Sequence, residues 1–206
     1  MRTQAEEAYA AAAAAIADQQ CVVMPTDTVY GIAAGAFSAE AVSALLAAKK
    51  RGTDMPSPVL IAEPAMLPAL ATEVPTSAEK LAEEFWPGPL TLILKAHKTL
   101  RLQLGETGGT VAVRVPDSDY AREVLRRTGP LAVSSANVSG QAAATTCQQA
   151  EESLGESVAV YLDAGPTPGV TPSTIVDFSS SASGRLLREG VVTTPQLLEL
   201  CPDLET

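Results

Sequence analysis

A chain of 206 residues with 46% hydrophobic content is long enough to fold as one sizeable domain around its own core. Aromatic residues make up only 4%, so that core must be built mainly from Ala, Val, Leu and Ile. The formal net charge of −10 argues against a general nucleic-acid-binding surface, which would be basic. A small anion can still bind where cations cluster locally. No run of 18 apolar residues is present to span a membrane. The alanine-rich N-terminal stretch follows Glu6 and Glu7, is broken by Asp18 and lacks a signal-peptide pattern, so the chain reads as cytoplasmic. Cys21, Cys147 and Cys201 are widely spaced, odd in number and form no C-x-x-C, which argues against a disulfide framework and a structural zinc site.

Residues 4–19 read as a helix with Ala5, Ala8, Ala12 and Ile16 along one side. Residues 21–24 read as a short strand stopped by Pro25, and Thr26-Asp27-Thr28-Val29-Tyr30-Gly31 as a polar loop. Ser38 can cap a helix running to about Lys49. Residues 59–62 form a buried strand. Thr76-Ser77-Ala78-Glu79 has the capping-box pattern for a helix to about Phe85, which Trp86-Pro87-Gly88-Pro89 ends. Strands follow over 90–95 and 111–115, then a helix capped by Asp117 or Ser118 through Arg127. Residues 131–134 form a strand leading into Ser134-Ser135-Ala136-Asn137-Val138-Ser139-Gly140. Thr145 or Thr146 caps the next helix, which ends before Gly155. Strands at 158–162, 174–178 and 185–188 complete the pattern, with 179–184 as a hairpin turn, and Thr194-Pro195 opens a last short helix. This alternation predicts an α/β fold: a single-domain, twisted, mixed and partly parallel sheet flanked by helices.

The single histidine, His97, removes metal motifs that need two, and its Lys95/Lys98 setting disfavours a Ser-His-Asp triad. G-x-G-x-x-G and G-x-x-x-x-G-K-[ST] are both absent. What remains is a set of donors placed where strands meet loops: Thr26, Thr28 and Tyr30; Lys49 and Arg51; Thr110 and Arg114; Ser135 and Asn137; Ser173 and Thr174; and Arg188. Open α/β sheets gather ligands at strand ends. Singly, each has an ordinary explanation: Thr and Ser are common in turns, and Lys49-Lys50-Arg51 suits a helix C-terminus. Together, cations at one place and a hydroxyl/amide cluster at another match the needs of a triphosphate site.

The order of the segments is more specific. Pro25-Thr26-Asp27-Thr28-Val29-Tyr30-Gly31, Ala48-Lys49-Lys50-Arg51, Phe85-Trp86-Pro87-Gly88-Pro89-Leu90-Thr91, Val111-Ala112-Val113-Arg114-Val115-Pro116, the Ser134–Gly140 segment, Ser173-Thr174-Ile175-Val176-Asp177 and Leu187-Arg188-Glu189-Gly190 together resemble the motif series of the YrdC/Sua5 family, over about residues 9–192. The resemblance implies a YrdC-like fold with a deep, positive concave cavity, as one domain over residues 1–206 without the extra C-terminal Sua5 domain. It implies threonylcarbamoyl-AMP synthase activity, a nucleotidyl transfer that joins ATP, L-threonine and bicarbonate and releases pyrophosphate. The product would pass to tRNA threonylcarbamoyl-transfer proteins for modification of adenosine 37, with weak tRNA contact and no membrane partner.

By the same resemblance, Lys49 and Arg51 face the phosphates or carbamate as catalytic residues. Arg51, Thr110, Ser135, Asn137 and Arg188 hold ATP. Thr28, Arg114, Val133 and Ser173 hold L-threonine, with Arg114 suited to its carboxylate. Mg2+ is expected on the ATP, held more by the triphosphate than by protein carboxylates, and no protein metal site is expected. The chain departs from the family pattern at Gly52, where Pro is common, and in the segment to Pro58, which is one residue longer. It departs also at Ala62 in place of a His, at Ser118-Asp119 in place of H-P, and at Ala143, which lacks an ATP-side hydroxyl. Three other readings are a YciO-like paralogue, an RNA- or ribosome-binding protein, and a relative of the hydrogenase-maturation carbamoyltransferases. The last normally carries zinc-finger-like Cys spacing, absent here.

Overall fold

The computed structural model describes residues 2–53 and 56–206, with side chains from Ala5 onward. In chain order the elements are α1 (Arg2–Ala17), β1 (Val22–Pro25), β2 (Tyr30–Gly35), α2 (Ala39–Ala48), β3 (Val59–Leu60), α3 (Leu67–Leu70), β4 (Ala71–Thr72), α4 (Thr76–Phe85), β5 (Leu90–Ala96), β6 (Thr110–Arg114), α5 (Asp119–Thr128), β7 (Leu131–Ser135), α6 (Cys147–Leu154), β8 (Val160–Tyr161), β9 (Thr174–Asp177), β10 (Arg185–Arg188) and α7 (Thr194–Leu200). One sheet runs β10-β9-β5-β6-β3-β7-β2-β1-β8, with β4 paired to β5. The pairs β5/β9, β3/β6 and β1/β8 are parallel and the rest antiparallel, so the sheet is mixed, as the alternation predicted.

Two expectations need correction. Tyr30 and Gly31, expected in the polar loop, open strand β2 (Tyr30–Gly35), which pairs with β1 and β7. Its sequence Tyr-Gly-Ile-Ala-Ala-Gly is weak in strand formers, and burial on both sides holds it in the sheet. Thr76 does not cap α4: the cap position is Pro75, with no side-chain hydrogen bond. Ser38, Ser118 and Thr146 do cap α2, α5 and α6 through their hydroxyl oxygens.

The helices cover the two sheet faces unequally. Leu90, Leu92, Leu94, Val111, Val113, Val115 and Ala132 pack in one large apolar cluster with Leu45 of α2, Leu81 of α4, Ala150 of α6 and Leu197 of α7. On the other face, a smaller cluster joins Ala12 and Ala15 of α1 to Ala121, Val124 and Leu125 of α5 over Val22, Met24, Ala33, Leu131 and Val133. The outward-facing stretch of β5, β6 and β9 lies beyond that second cluster. There the residues at alternate positions (Thr91 and Ile93, Ala112 and Arg114, Ser173 and Ile175) line a cavity.

Candidate active site

The cavity has a volume of about 660 Å³. It lies against one face of the sheet and includes the carboxyl ends of β1, β6, β7 and β10, from which Thr26 and Thr28, Arg114, Ser135 with Asn137, and Arg188 line it. Strands alternate with period 2, so residues i and i+2 share a face: β5, β6 and β7 each place two or more side chains into the hollow, and β9 adds Ile175 next to Ser173. It brings together Thr28, Arg51, Thr110, Arg114, Val133, Ser135, Asn137, Ser173 and Arg188 from widely separated segments. The charged side chains among its described lining are Arg51, Arg114 and Arg188, and no carboxylate is among them, in a chain of net charge −10.

Lys49 does not line this cavity. It is 3% exposed, and its ammonium donates to the carbonyls of Ser135 (2.5 Å) and Asn137 (2.8 Å), while its own carbonyl accepts from Ser139 N (2.9 Å). It therefore staples the end of α2 to the Ser135–Ser139 loop. Burial, and then the charge of Arg51, push its amine down to about 8. Lys50 has φ 51°, Lys50 N donates to Ala47 O, and Arg51 N to Leu46 O. That is the paired-bond helix ending usually built with glycine at the left-handed position. It reverses the chain so that Lys49 turns inward under the loop and Arg51 reaches the cavity, where its Nη1 lies 3.4 Å from Ser134 Oγ.

Arg114 is 6% exposed and held on three sides. Its Nε donates to Gly88 O (3.0 Å), Nη1 to Thr28 Oγ1 (3.1 Å) and Nη2 to Asp27 Oδ1 (2.6 Å). Burial pulls its guanidinium below the usual range and Asp27 opposes that shift. The second oxygen of Asp27 is buried without a partner. Arg188 donates through Nε and Nη2 to Ser173 O. Burial lowers its range too, and the Arg114 charge adds to that. A guanidinium whose proton affinity a neighbouring guanidinium lowers marks a place where an anion is stabilised.

The neutral donors differ in what they leave available. Asn137 uses its amide nitrogen on Val138 O and Gln141 O, both at 2.9 Å, so it holds the loop and leaves a buried, unpartnered Oδ1. Thr110 donates to Thr107 O. Ser135 and Val133 lie on β7 facing the hollow, and Gly31 opposite them has no room for a side chain, since a Cβ there would lie 2.7 Å from Val133 Cγ1. Among the departures, Ala143 lines the cavity, whereas Ala62 packs into the apolar cluster under α5. The lengthened segment after Gly52 includes residues 54 and 55, which lie outside the described residues.

Sequence reasoning missed Ser57, Thr91, Ile93 and Leu104 in the lining. Thr91 and Ile93 were findable: they sit two apart on a strand, on the face opposite the fully apolar Leu90, Leu92 and Leu94. Ser57 and Leu104 come from irregular segments and carry no such signal. No group of three or more His, Cys, Asp or Glu side chains suited to a metal occurs among the described residues, and no helix there is long and apolar enough to cross a membrane.

The profile of the Sua5/YciO/YrdC family, described as telomere recombination, matches residues 14–190. A Mycobacterium tuberculosis protein bearing the provisional name threonylcarbamoyl-AMP synthase is 46% identical over 197 residues, 96% of this chain and 90% of that one. The threonylcarbamoyl-AMP synthase of Bacillus subtilis is 38% identical over 91% of this chain, which spans only 55% of that protein. Among solved structures, Pyrococcus abyssi Sua5 complexed with L-threonine superimposes with a TM-score of 0.90 at 33% identity, over 98% of this chain and 59% of that one. Escherichia coli YciO, at a TM-score of 0.83 and 21% identity, shares the fold.

Proposed function

The chain belongs to the Sua5/YciO/YrdC family, and from that premise we propose that it is a threonylcarbamoyl-AMP synthase acting on ATP, L-threonine and bicarbonate. The observation that carries the reading is a hollow whose only charged lining residues, among those described, are three arginines, on an otherwise acidic chain. The reaction matches it. Threonine's neutral amine and bicarbonate give a carbamate with loss of water, one carbamate oxygen attacks the α-phosphorus of ATP, and the bond to the bridging β-phosphate oxygen breaks to release pyrophosphate. ATP, bicarbonate and the carbamate are anionic and threonine brings a carboxylate, so the protein must neutralise charge and align groups rather than supply a nucleophile.

Arg51 faces the triphosphate, with Thr110 and Ser135 as neutral neighbours. Arg188 supports the far side of the nucleotide. Arg114, already held by Asp27, Thr28 and Gly88, presents its remaining N–H groups to the threonine carboxylate beside Ser173 and Val133. Lys49 acts through the loop it holds rather than on the phosphates. The donor set of the hollow suits magnesium carried on ATP, where it would neutralise phosphate charge, rather than a protein carboxylate cage. The product is handed to the proteins that modify adenosine 37 of tRNA, in the cytoplasm, and residues 1–206 act as one domain.

Arg51→Ala tests the site assignment. Turnover should fall roughly tenfold or more, the scale of one lost charge-assisted contact, with the unfolding midpoint little changed. Unchanged turnover would return Arg51 to the role of an ordinary helix-end cation.

A further inference from the structure

Val170 is 74% exposed, the most exposed of the large apolar side chains among the described residues. It also lines the cavity, which the other exposed ones, Phe37, Tyr120, Leu187 and Val191, do not. A lone apolar side chain on a surface is ordinary, but one on the wall of a ligand cavity can be covered when the cavity fills.

Val170 belongs to the segment Gly165-Pro166-Thr167-Pro168-Gly169-Val170-Thr171-Pro172, which is fastened towards both ends. At its start, Tyr30 Oη donates to Gly165 O (2.6 Å) and accepts from Ala164 N (3.3 Å). Thr167 N then donates to Thr145 O (2.8 Å), two residues along the chain from Ala143, which lines the cavity. At its end, Val191 N donates to Pro172 O (3.2 Å), next in sequence to Ser173. Between these anchors the amides of Gly169, Val170 and Thr171 donate to nothing among the described residues, and Pro168 has no amide to donate. The segment is a strap, held towards both ends and unbonded in the middle, and such segments move at low cost.

The substrates differ in what an apolar side chain could cover. The triphosphate and bicarbonate are charged, and threonine offers one methyl between polar groups. The adenine ring presents the one broad face that gains by leaving water against a valine. The anchors agree, since the strap runs from the Ala143–Thr145 stretch to Pro172, close in sequence to Ser173 and to the Arg188 that bonds it. We propose that this strap closes over the nucleotide, with Val170 covering the adenine ring. Closure also shields the carbamate and the mixed anhydride from bulk water. The inference rests on the synthase reading above, and it adds a nucleotide contact from outside the ordered motifs.

The test is calorimetric titration of ATP, tripolyphosphate and L-threonine, the first two with magnesium, into the full chain and into Val170→Ser and Val170→Ile. Tripolyphosphate keeps the phosphate chain but lacks the base. Val170→Ser should weaken ATP about fivefold, the scale of part of one apolar side chain returned to water, and weaken tripolyphosphate and L-threonine by less than about twofold. Val170→Ile, which keeps the apolar surface, should bind ATP within about twofold of the unmodified chain. In hydrogen exchange of the unmodified chain, ATP should slow the amides of Gly169, Val170 and Thr171, and tripolyphosphate should leave them as they are. Undiminished ATP affinity in Val170→Ser, equal weakening of ATP and tripolyphosphate, or exchange that ATP does not slow overturns the inference and leaves the synthase reading standing. An unmodified chain that binds no ATP overturns both.

Discussion

The Lys49 amine lies between two loop carbonyls, and its environment makes the pH dependence of folding calculable in sign. Burial and the Arg51 charge bring it to about 8 in the folded chain, from 10.5 when solvated. Between those values the unfolded chain binds the proton and the folded chain does not. Stability therefore rises with pH across that window, and the cost of burying the charge applies in full below it. The neutral amine still has two N–H groups for the two carbonyls. Urea midpoints of wild type and Lys49→Met measured from pH 7 to 10 should diverge, with the rise attributable to this amine missing in the variant. Parallel curves would show that the amine titrates as in water. At Asp27, the buried pair with Arg114 leaves a charge exposed to the interior if one member goes. Asp27→Asn should cost about 3 kcal/mol or more of stability, read by urea unfolding. A loss under about 0.5 kcal/mol would mean that Gly88 and Thr28 suffice to hold Arg114.

Among the elements, the end of α2 places more of the chemistry than its length suggests. Lys50 occupies a left-handed position that costs an L-residue about 1–2 kcal/mol, part of which glycine would return as unfolded-state entropy. Lys50→Gly should therefore raise stability by roughly 0.5–1 kcal/mol and leave turnover unchanged, because Lys50 is exposed and its neighbours keep their directions. A fall in the melting temperature would contradict this account of the turn. Ser118 caps α5 at Ala121 N (3.3 Å) and also donates to Pro25 O (3.0 Å). Removing it as Ser118→Ala should cost about 1 kcal/mol in urea unfolding, with L-threonine and ATP affinities of the folded protein unchanged. A loss of affinity would make the residue standing in for the family's histidine a part of the site.

The elements also show how far sequence carries. Helices with polar caps, such as α2, α5 and α6, were legible because a hydroxyl at a helix start has a local cause. β2 was not, because Gly31 and three small neighbours become a strand only when sheet partners and two apolar clusters enclose them. Most of the candidate site residues that line the hollow stand in the ordered motifs. Their hydrogen-bond directions were not legible: whether Lys49 meets a phosphate or a carbonyl depends on a loop 86 residues away in sequence.

For the molecule as a whole, an incomplete helical layer makes the hollow. α1 and α5 cover one end of the sheet face, and the uncovered strands turn hydroxyls and guanidiniums into the gap. The positive interior and acidic exterior have different tasks: the first gathers anionic substrates, the second keeps the surface soluble and disfavours broad RNA binding. The central claim is that this hollow joins threonine, bicarbonate and ATP. The most direct measurement is incubation of the chain with ATP and magnesium, L-threonine and 13C-labelled bicarbonate, with mass detection of the adenylate and assay of pyrophosphate. The account predicts threonylcarbamoyl-adenylate carrying one 13C, with pyrophosphate release that requires both L-threonine and bicarbonate. Equal pyrophosphate release without the amino acid, or no labelled adenylate, would contradict it.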